Sequence, residues 1–297
     1  MDNQKSFMLT IDVEDWFQVE NFKQWIPFSS WSSYELRVEK NINRILDLLD
    51  SIGRASSGCR SSDKKLHATF FVLGWVAVRL KHLVREIHAR GHEIASHGFN
   101  HNLYTHISFP DLINDLKDSK KLLEDIIGTS VIGFRAPSFA INSDILEKVK
   151  ECGYRYDSSY NSFAMHDRYG QLNLDKGRKI GLAYKISDQF YEIPISNLKV
   201  CDKVLPMGGG GYFRLLPFIF FKKAVKIILN QEKAYLFYMH PWEIDHKQPR
   251  LNKATRFFKF RHYNNLHRAY GKLLMLVKTF RYCRFVTCGQ YLKNDCH

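Results

Sequence analysis

The chain has 297 residues, 45% of them hydrophobic, and a formal charge of +14 from 44 Lys and Arg against 30 Asp and Glu. That is enough to bury a full core, and it suits one α/β domain running from residue 1 to residue 297. No run approaches the roughly 18 uncharged apolar residues of a spanning helix, and Met1 to Lys5 leads straight into a short strand, so neither a spanning helix nor a signal-peptide core is expected.

In chain order, the first expected strand is Phe7 to Asp12, and it runs out into three acids, Asp12, Glu14 and Asp15. Leu36, Ile42, Ile45, Leu46 and Leu49 recur at helical spacing across Tyr34 to Ile52, and Gly53 stops that helix. Arg54 to Lys65, rich in Ser, Gly, Arg and Lys, reads as an exposed loop before the strand Ala68 to Leu73. The strand Glu93 to Ser96 feeds directly into His97 and His101. In a helical turn the i, i+4 spacing puts both imidazoles on one face, and two neutral nitrogens plus a carboxylate leave an open metal position for a water. Ser108 with Asp111 opens a helix that ends at Gly128, and Ser143 to Cys152 closes at Gly153 in the same way. Between and after these lie the strands Val131 to Arg135, Tyr154 to Asp157 and Tyr191 to Ile195. Gly208 to Gly211 lacks the G-K-[ST] ending of a phosphate loop and is read either as a close approach to a ligand or as a flexible turn. Tyr235 to His240 and Arg284 to Thr287 complete the strands.

Strands alternating with helices predict a mostly parallel sheet, and Asp12 to Asp15, His97 to His101, Arg135, Asp157 and His240 all fall at or just after strand C-termini. In a barrel of parallel strands those ends meet on one face, where loops build active sites. Six cysteines without a C-x-x-C pair fit reduced thiols, hence a cytoplasmic protein. From His246 to Asn294 there are 12 Lys or Arg and no acid. This basic extension, about 246–297, would attract phosphate-bearing partners or an anionic membrane surface; no nucleic-acid recognition motif accompanies it.

Thr10-Ile-Asp12-Val-Glu14-Asp15-Trp16-Phe17, His97-Gly-Phe-Asn-His101, Arg135-Ala-Pro-Ser-Phe139, Tyr156-Asp157-Ser-Ser159, Gly209-Gly-Gly-Tyr-Phe-Arg-Leu-Leu-Pro217, His240-Pro-Trp242 and Arg261-His-Tyr263 stand in this order along the chain. Together they resemble the polysaccharide deacetylases of the NodB-homology group, carbohydrate esterase family 4, and more closely the branch found beside exopolysaccharide and exosortase loci. The resemblance implies a distorted (β/α) barrel of about seven parallel strands. It also implies a divalent metal, Zn²⁺ first with Co²⁺ as an alternative, held by His97, His101 and an acid. That acid is Asp15 if the chain turns after Val13, or Glu14 if the strand end stays extended.

By the same resemblance Asp12 is the general base and Arg135 keeps it ionised. His240 protonates the leaving amine, Asp157 orients His240, and the Phe139 N–H stabilises the oxyanion. Phe139, Tyr212 and Trp242 would contact substrate, while Trp16, Trp25, Trp31 and Trp75 are assigned to core packing ahead of a sugar subsite. The implied activity is removal of the N-acetyl group from an amino sugar in a polysaccharide, glycolipid or phosphate-linked precursor. Another amide hydrolase on the same barrel and a non-catalytic glycan-binding protein are the alternatives; a pure binder needs neither a base nor an acid.

Overall fold

The computed structural model describes residues 4–54, 65–163, 172–174, 177–201 and 203–296. Residues 55–64, most of the expected loop between the first helix and the second strand, lie outside the described residues, as does Cys59. In chain order the strands are β1 Ser6–Val13, β2 Ala68–Val72, β3 Glu93–Ser96, β4 Gly133–Phe134, β5 Tyr156–Asp157, β6 Arg178–Ile180, β7 Ala183–Ser187, β8 Phe190–Glu192, β9 Leu198–Val200, β10 Lys203–Leu205, β11 Ala234–Met239 and β12 Arg284–Phe285. The helices are α1 Val38–Arg54, α2 Gly74–Arg79, α3 Lys81–Ala89, α4 Phe109–Ile127, α5 Ser143–Glu151, α6 Gly210–Leu215, α7 Phe218–Glu232, α8 Arg256–Tyr263, α9 Leu266–Phe280 and α10 Cys288–Asp295.

Seven strands pair in parallel in the order β11-β1-β2-β3-β4-β5-β8, curling into a distorted (β/α) barrel. β1 lies between β11 and β2. All eight of its residues are buried, which explains its near-continuous apolar run: both faces are covered and no alternation is needed. β12 adds to the start of β1 on the side that β2 takes further along. Among the described residues no strand ladder joins β8 to β11. That gap is bridged instead by a single pairing of Gly209 with Tyr238 and by the Leu236 N–H donating to Ser196 Oγ at 2.8 Å.

The helix caps follow the sequence signals. Ser108 accepts from the Asp111 N–H and Gly128 ends α4 in the left-handed region, while Asn142 caps α5. Two hairpins carry no such signal. β6 and β7 extend the sheet antiparallel beyond β8, and β9 with β10 forms a separate ribbon. β6, β9 and β10 are largely exposed, so they lack the apolar periodicity that marks the barrel strands.

The glycine run is neither a ligand cradle nor a slack turn for most of its length. A Cβ on Gly208 would lie 2.5 Å from the Ser196 carbonyl oxygen, one on Gly209 2.7 Å from the Tyr238 ring, and one on Gly210 2.2 Å from Glu243. These glycines let the start of α6 press against the end of β11 and the residues after it. Gly211 alone faces open space.

His92 is buried behind β3, its Nδ1 accepting from the Ala68 N–H at 3.2 Å, and burial lowers its pKa to about 4. A histidine kept neutral in the fold must be charged in the unfolded chain below its ordinary pKa. Its stabilising contribution is therefore present above about pH 6.5 and is lost as pH falls toward 4, amounting to roughly 3 kcal/mol. His92→Asn, which keeps an acceptor for Ala68, is expected to flatten the fall in Tm between pH 7 and pH 5. An unaltered slope would show that other groups carry it.

Candidate active site

Six parallel strands deliver side chains to the same end of the barrel, and a cavity there is lined by Asp12, Glu14, His97, His101, His240 and Glu243, among others. After β1 the chain turns, with the Glu14 N–H donating to the Asp12 carbonyl oxygen at 3.0 Å. This swings the Glu14 carboxylate toward the two histidines. The nearest ligand atoms of Glu14, His97 and His101 all lie within 4.8 Å of one another, and all three residues are buried. Glu14 Oε2 is 2.8 Å from His101 Nε2 yet takes part in no properly formed hydrogen bond. A buried carboxylate facing two imidazole nitrogens is a donor set of the kind that suits a divalent ion.

The protonation states agree with that reading. Burial alone would raise the Glu14 pKa, but the imidazoles of His101, His240 and His97 outweigh it and hold the group at about 2. His97 is pushed down to about 4 by burial. Its Nδ1 lies 2.8 Å from the Arg135 carbonyl, which can only accept, so Nδ1 carries the proton and Nε2 is left as a lone pair for the ion. His97 and His101 share a face, although not by helical spacing. The segment is an irregular turn with Gly98 (φ 72°) and His101 (φ 56°) in the left-handed region, pinned by Asp115, which accepts from the Phe99 N–H at 2.8 Å and from Tyr104 Oη at 2.6 Å.

Asp15 does not join the cluster. Its Oδ1 accepts from the Trp16 N–H at 2.8 Å, and its Oδ2 from the Arg37 and Val38 N–H groups at 2.6 and 2.8 Å. It caps the N-terminus of α1, which gives both oxygens N–H donors and satisfies orphan donors of the helix. Burial still raises its pKa to about 6. Of the two acids, Glu14 is the one that joins His97 and His101.

Asp12 sits beside the cluster with Oδ1 2.7 Å from Arg135 Nη1. Arg135 is wholly buried and fixed on its other sides by Thr10 Oγ1, the Ser158 carbonyl and Ser158 Oγ, each at 2.9 Å. This buried ion pair aims Asp12 Oδ2 into the cavity, 4.0 Å from His240 Nε2.

His240 is oriented from behind by Glu243, not by Asp157. Glu243 Oε1 lies 3.0 Å from His240 Nδ1 and accepts the His240 backbone N–H at 3.1 Å. Its Oε2 accepts from Arg214 Nε at 2.7 Å, and the rest of that guanidinium donates to the carbonyls of Arg261, His262 and Asn264. Burial would lower the His240 pKa, but Glu14, Glu243 and Asp12 outweigh it and raise it to about 9. The ring stacks on Trp242 (5.1 Å, 21°), which stacks in turn on His262 (4.1 Å, 12°). Sequence reasoning missed Glu243, Arg214 and His262 as parts of the site. The available signal was an acid three residues after His240, at the first turn of the short helix that follows.

Asp157 has a different task. Its Oδ1 accepts from Ser159 Oγ at 2.7 Å and its Oδ2 from the Ser159 N–H at 2.9 Å, while Ser159 Oγ accepts the Ala136 N–H at 2.8 Å. It therefore fixes the turn that holds Arg135. Beside it, burial and the Asp157 charge raise Glu192 well above its ordinary pKa. Glu192 thus carries the proton between the two carboxyls.

Phe139 and Trp242 line the cavity, with Phe139 packed edge-on to Tyr238. The Phe139 N–H donates to the Ala136 carbonyl at 3.0 Å, so it is spent inside its own turn. Ser138, at φ 55° and also on the cavity wall, has an N–H that takes no part in those turn bonds. Tyr212 is not among the lining residues and packs edge-on against Phe163; Gly211 and Arg214 of the same helix face the cavity instead. Trp16, Trp25, Trp31 and Trp75 pack against Tyr34, Phe258 and one another, as core and not as a subsite.

Residues 61–156 match the family Polysaccharide deacetylase, and residues 158–290 match DUF3473, a domain of unknown function. Asp12 and Glu14 lie outside both ranges. A peptidoglycan-N-acetylglucosamine deacetylase of Bacillus cereus is 36% identical over 91 residues, 31% of this chain and 42% of that protein. The peptidoglycan-N-acetylmuramic acid deacetylase PdaC of Bacillus subtilis is 29% identical over 86 residues, 29% of this chain and 18% of that one. The chain thus spans less than half the length of these curated relatives. Among solved structures, Puue allantoinase superposes with a TM-score of 0.61 at 12% identity, over all of this chain and 93% of that one. A peptidoglycan N-acetylglucosamine deacetylase gives 0.51 at 15% identity, over 97% and 88%. Identities this low speak to the fold alone, a NodB-like barrel. In sequence the chain is similar to the polysaccharide deacetylases over residues 61–156 and to DUF3473 over residues 158–290.

Proposed function

We propose that the protein is a metal-dependent hydrolase that removes the N-acetyl group from an amino sugar in a glycan or its precursor. The observation that carries this reading is the meeting of a base clamped by arginine, an acid backed by glutamate and a Glu-His-His donor set on one cavity. Glu14, His97 and His101 would hold the ion, with Zn²⁺ favoured by two imidazoles and one carboxylate and Co²⁺ as the substitute. When bound, the ion supplies Lewis acidity to the acetyl carbonyl and to the attacking water.

The chain's own residues do the rest. Asp12, held in place by Arg135 at 2.7 Å, takes the proton from the water as its oxygen bonds to the acetyl carbon. Ser138 lines the cavity with an N–H that takes no part in the turn bonds, and we assign that N–H to the negative charge that develops on the carbonyl oxygen. His240 gives its Nε2 proton to the amide nitrogen as the C–N bond breaks, so acetate and a free amine leave. Asp12→Asn is expected to lower kcat by roughly 10²- to 10⁴-fold. Chelation should abolish acetate release, and Zn²⁺ or Co²⁺ should restore it. Unchanged turnover in Asp12→Asn would remove Asp12 as the base.

A phosphate-linked substrate of the exopolysaccharide kind, met by a cytoplasmic protein at an anionic inner membrane, belongs to the same proposal. Its supports are the acid-free basic stretch from His246 to Asn294 and five free cysteines among the described residues. Acetate release across lipid-diphosphate, nucleotide-linked and polymeric N-acetylhexosamines tests it; turnover of the polymer alone would sink the phosphate-linked version.

A further inference from the structure

Large apolar side chains stand out from two helices beside the cavity. Ile219 and Phe220 at the start of α7 are 59% and 61% exposed, and Phe257 and Phe260 on α8 are 62% and 57% exposed, while Leu215 at the end of α6 is exposed too. These positions cluster for a topological reason. α7 runs into β11 through a one-residue connection, so the two are antiparallel, and the start of α7 lies at the barrel end where β11 delivers His240. Arg214, next to Leu215, donates to the carbonyls of Arg261, His262 and Asn264, which ties the end of α6 to the end of α8. Gly211 and Arg214 of α6 and Arg261 and His262 of α8 line the cavity itself. The exposed apolar residues therefore form a rim beside the mouth of the catalytic cavity.

The helices that carry these tips hold no acid on their exposed faces. From Lys203 to Gln231, and again from His246 to Asn294, there is no Asp or Glu. On α7, Lys223 and Lys226 are exposed and stand with Ile219, Phe220 and Ile227 on the outward side, while Phe221, Ala224, Val225, Ile228 and Leu229 face the core. On α8, Arg256 is exposed next to Phe257. Aromatic and aliphatic tips interleaved with cations and free of acids complement a bilayer whose headgroups are anionic and whose acyl boundary accepts apolar side chains. A protein partner would call for acidic counterparts around an apolar centre; no groove between the helices is needed to explain an array of separate protruding tips.

We propose that this rim docks the protein on an anionic lipid surface with the mouth of the cavity turned toward the bilayer. The proposal rests on the deacetylase reading only in what the mouth would meet there: an acetylated sugar on a membrane-held carrier. Docking itself is measured without turnover. The protein is expected to sediment with vesicles of phosphatidylcholine and phosphatidylglycerol, to ignore vesicles of phosphatidylcholine alone, and to lose binding as salt is raised. Phe220→Ser with Phe260→Ser should weaken partitioning about 10-fold or more, and Lys223→Gln with Lys226→Gln should weaken it about as much. Acetate release from a soluble acetylated aminosugar should stay the same in both double variants. Binding equal on neutral and anionic vesicles, no binding to either, or unaltered binding by the Phe variants overturns the proposal. So does a dimer in light scattering that the same Phe substitutions dissociate, since the face would then belong to a second copy of the chain.

Discussion

Glu14→Gln should strip the protein of its metal and of at least about 100-fold in turnover while leaving the fold near its original Tm, whereas Asp15→Ala should do the reverse. The two residues are neighbours in sequence with opposite work. Glu14 carries a buried oxygen that accepts from no donor and faces His101 Nε2. Replacing it by an amide of the same shape removes a ligand but strands no backbone group. Asp15 takes three backbone N–H groups, two of them at the start of α1. Its truncation leaves those donors unpaired in the interior, at a cost of about 2–4 kcal/mol. Metal content after dialysis and thermal unfolding of the two variants decide the matter. A metal-free but folded Asp15→Ala beside a metal-replete Glu14→Gln would reverse the assignment.

His240→Asn should lower kcat roughly 10²- to 10⁴-fold with KM little changed, because the departing amine loses its proton donor and the sugar loses no binding group. Glu243→Gln is the finer probe. It keeps an acceptor near His240 Nδ1 but removes the charge that helps raise the imidazole pKa to about 9. The acid must be protonated to work, so activity is lost as pH rises through its pKa. Removing a negative neighbour lowers that pKa and moves the alkaline limb of the pH profile to lower pH. Arg214→Met is expected to be more damaging to the fold than Glu243→Gln, since it leaves the Glu243 carboxylate buried without its counter-ion, at about 3–5 kcal/mol. An alkaline limb unmoved in Glu243→Gln would mean that Glu243 shapes the loop and does not tune the acid.

The barrel was legible in the sequence because its strands are apolar runs of the right length and its chemistry sits at their ends. Phe7 to Asp12 and Glu93 to Ser96 differ from the observed strands by a residue at most, and Ser108 and Gly128 mark α4 at both ends. What could not be read was which of two adjacent acids a turn points inward. That depends on where α1 begins in space, twenty-three residues on from Asp15, and on the capping that Asp15 performs there. Asp157 and Glu243 were exchanged for a similar reason. Both follow or precede strand ends and both are buried acids, but only the crossing of α6 over the end of β11, permitted by Gly210, places Arg214 behind Glu243.

The first half of the chain contributes Asp12, Glu14, His97 and His101, the second contributes His240 with its supporting carboxylate and guanidinium, and β1 is the seam between them. It pairs with β2 across some sixty residues of chain and with β11 across more than two hundred. Loop closure on that scale is the slow, entropically costly step of assembling such a topology. His240 is thus brought in by a pairing that spans more than two hundred residues, so a nascent or partly denatured chain lacks a complete centre until β11 has joined β1.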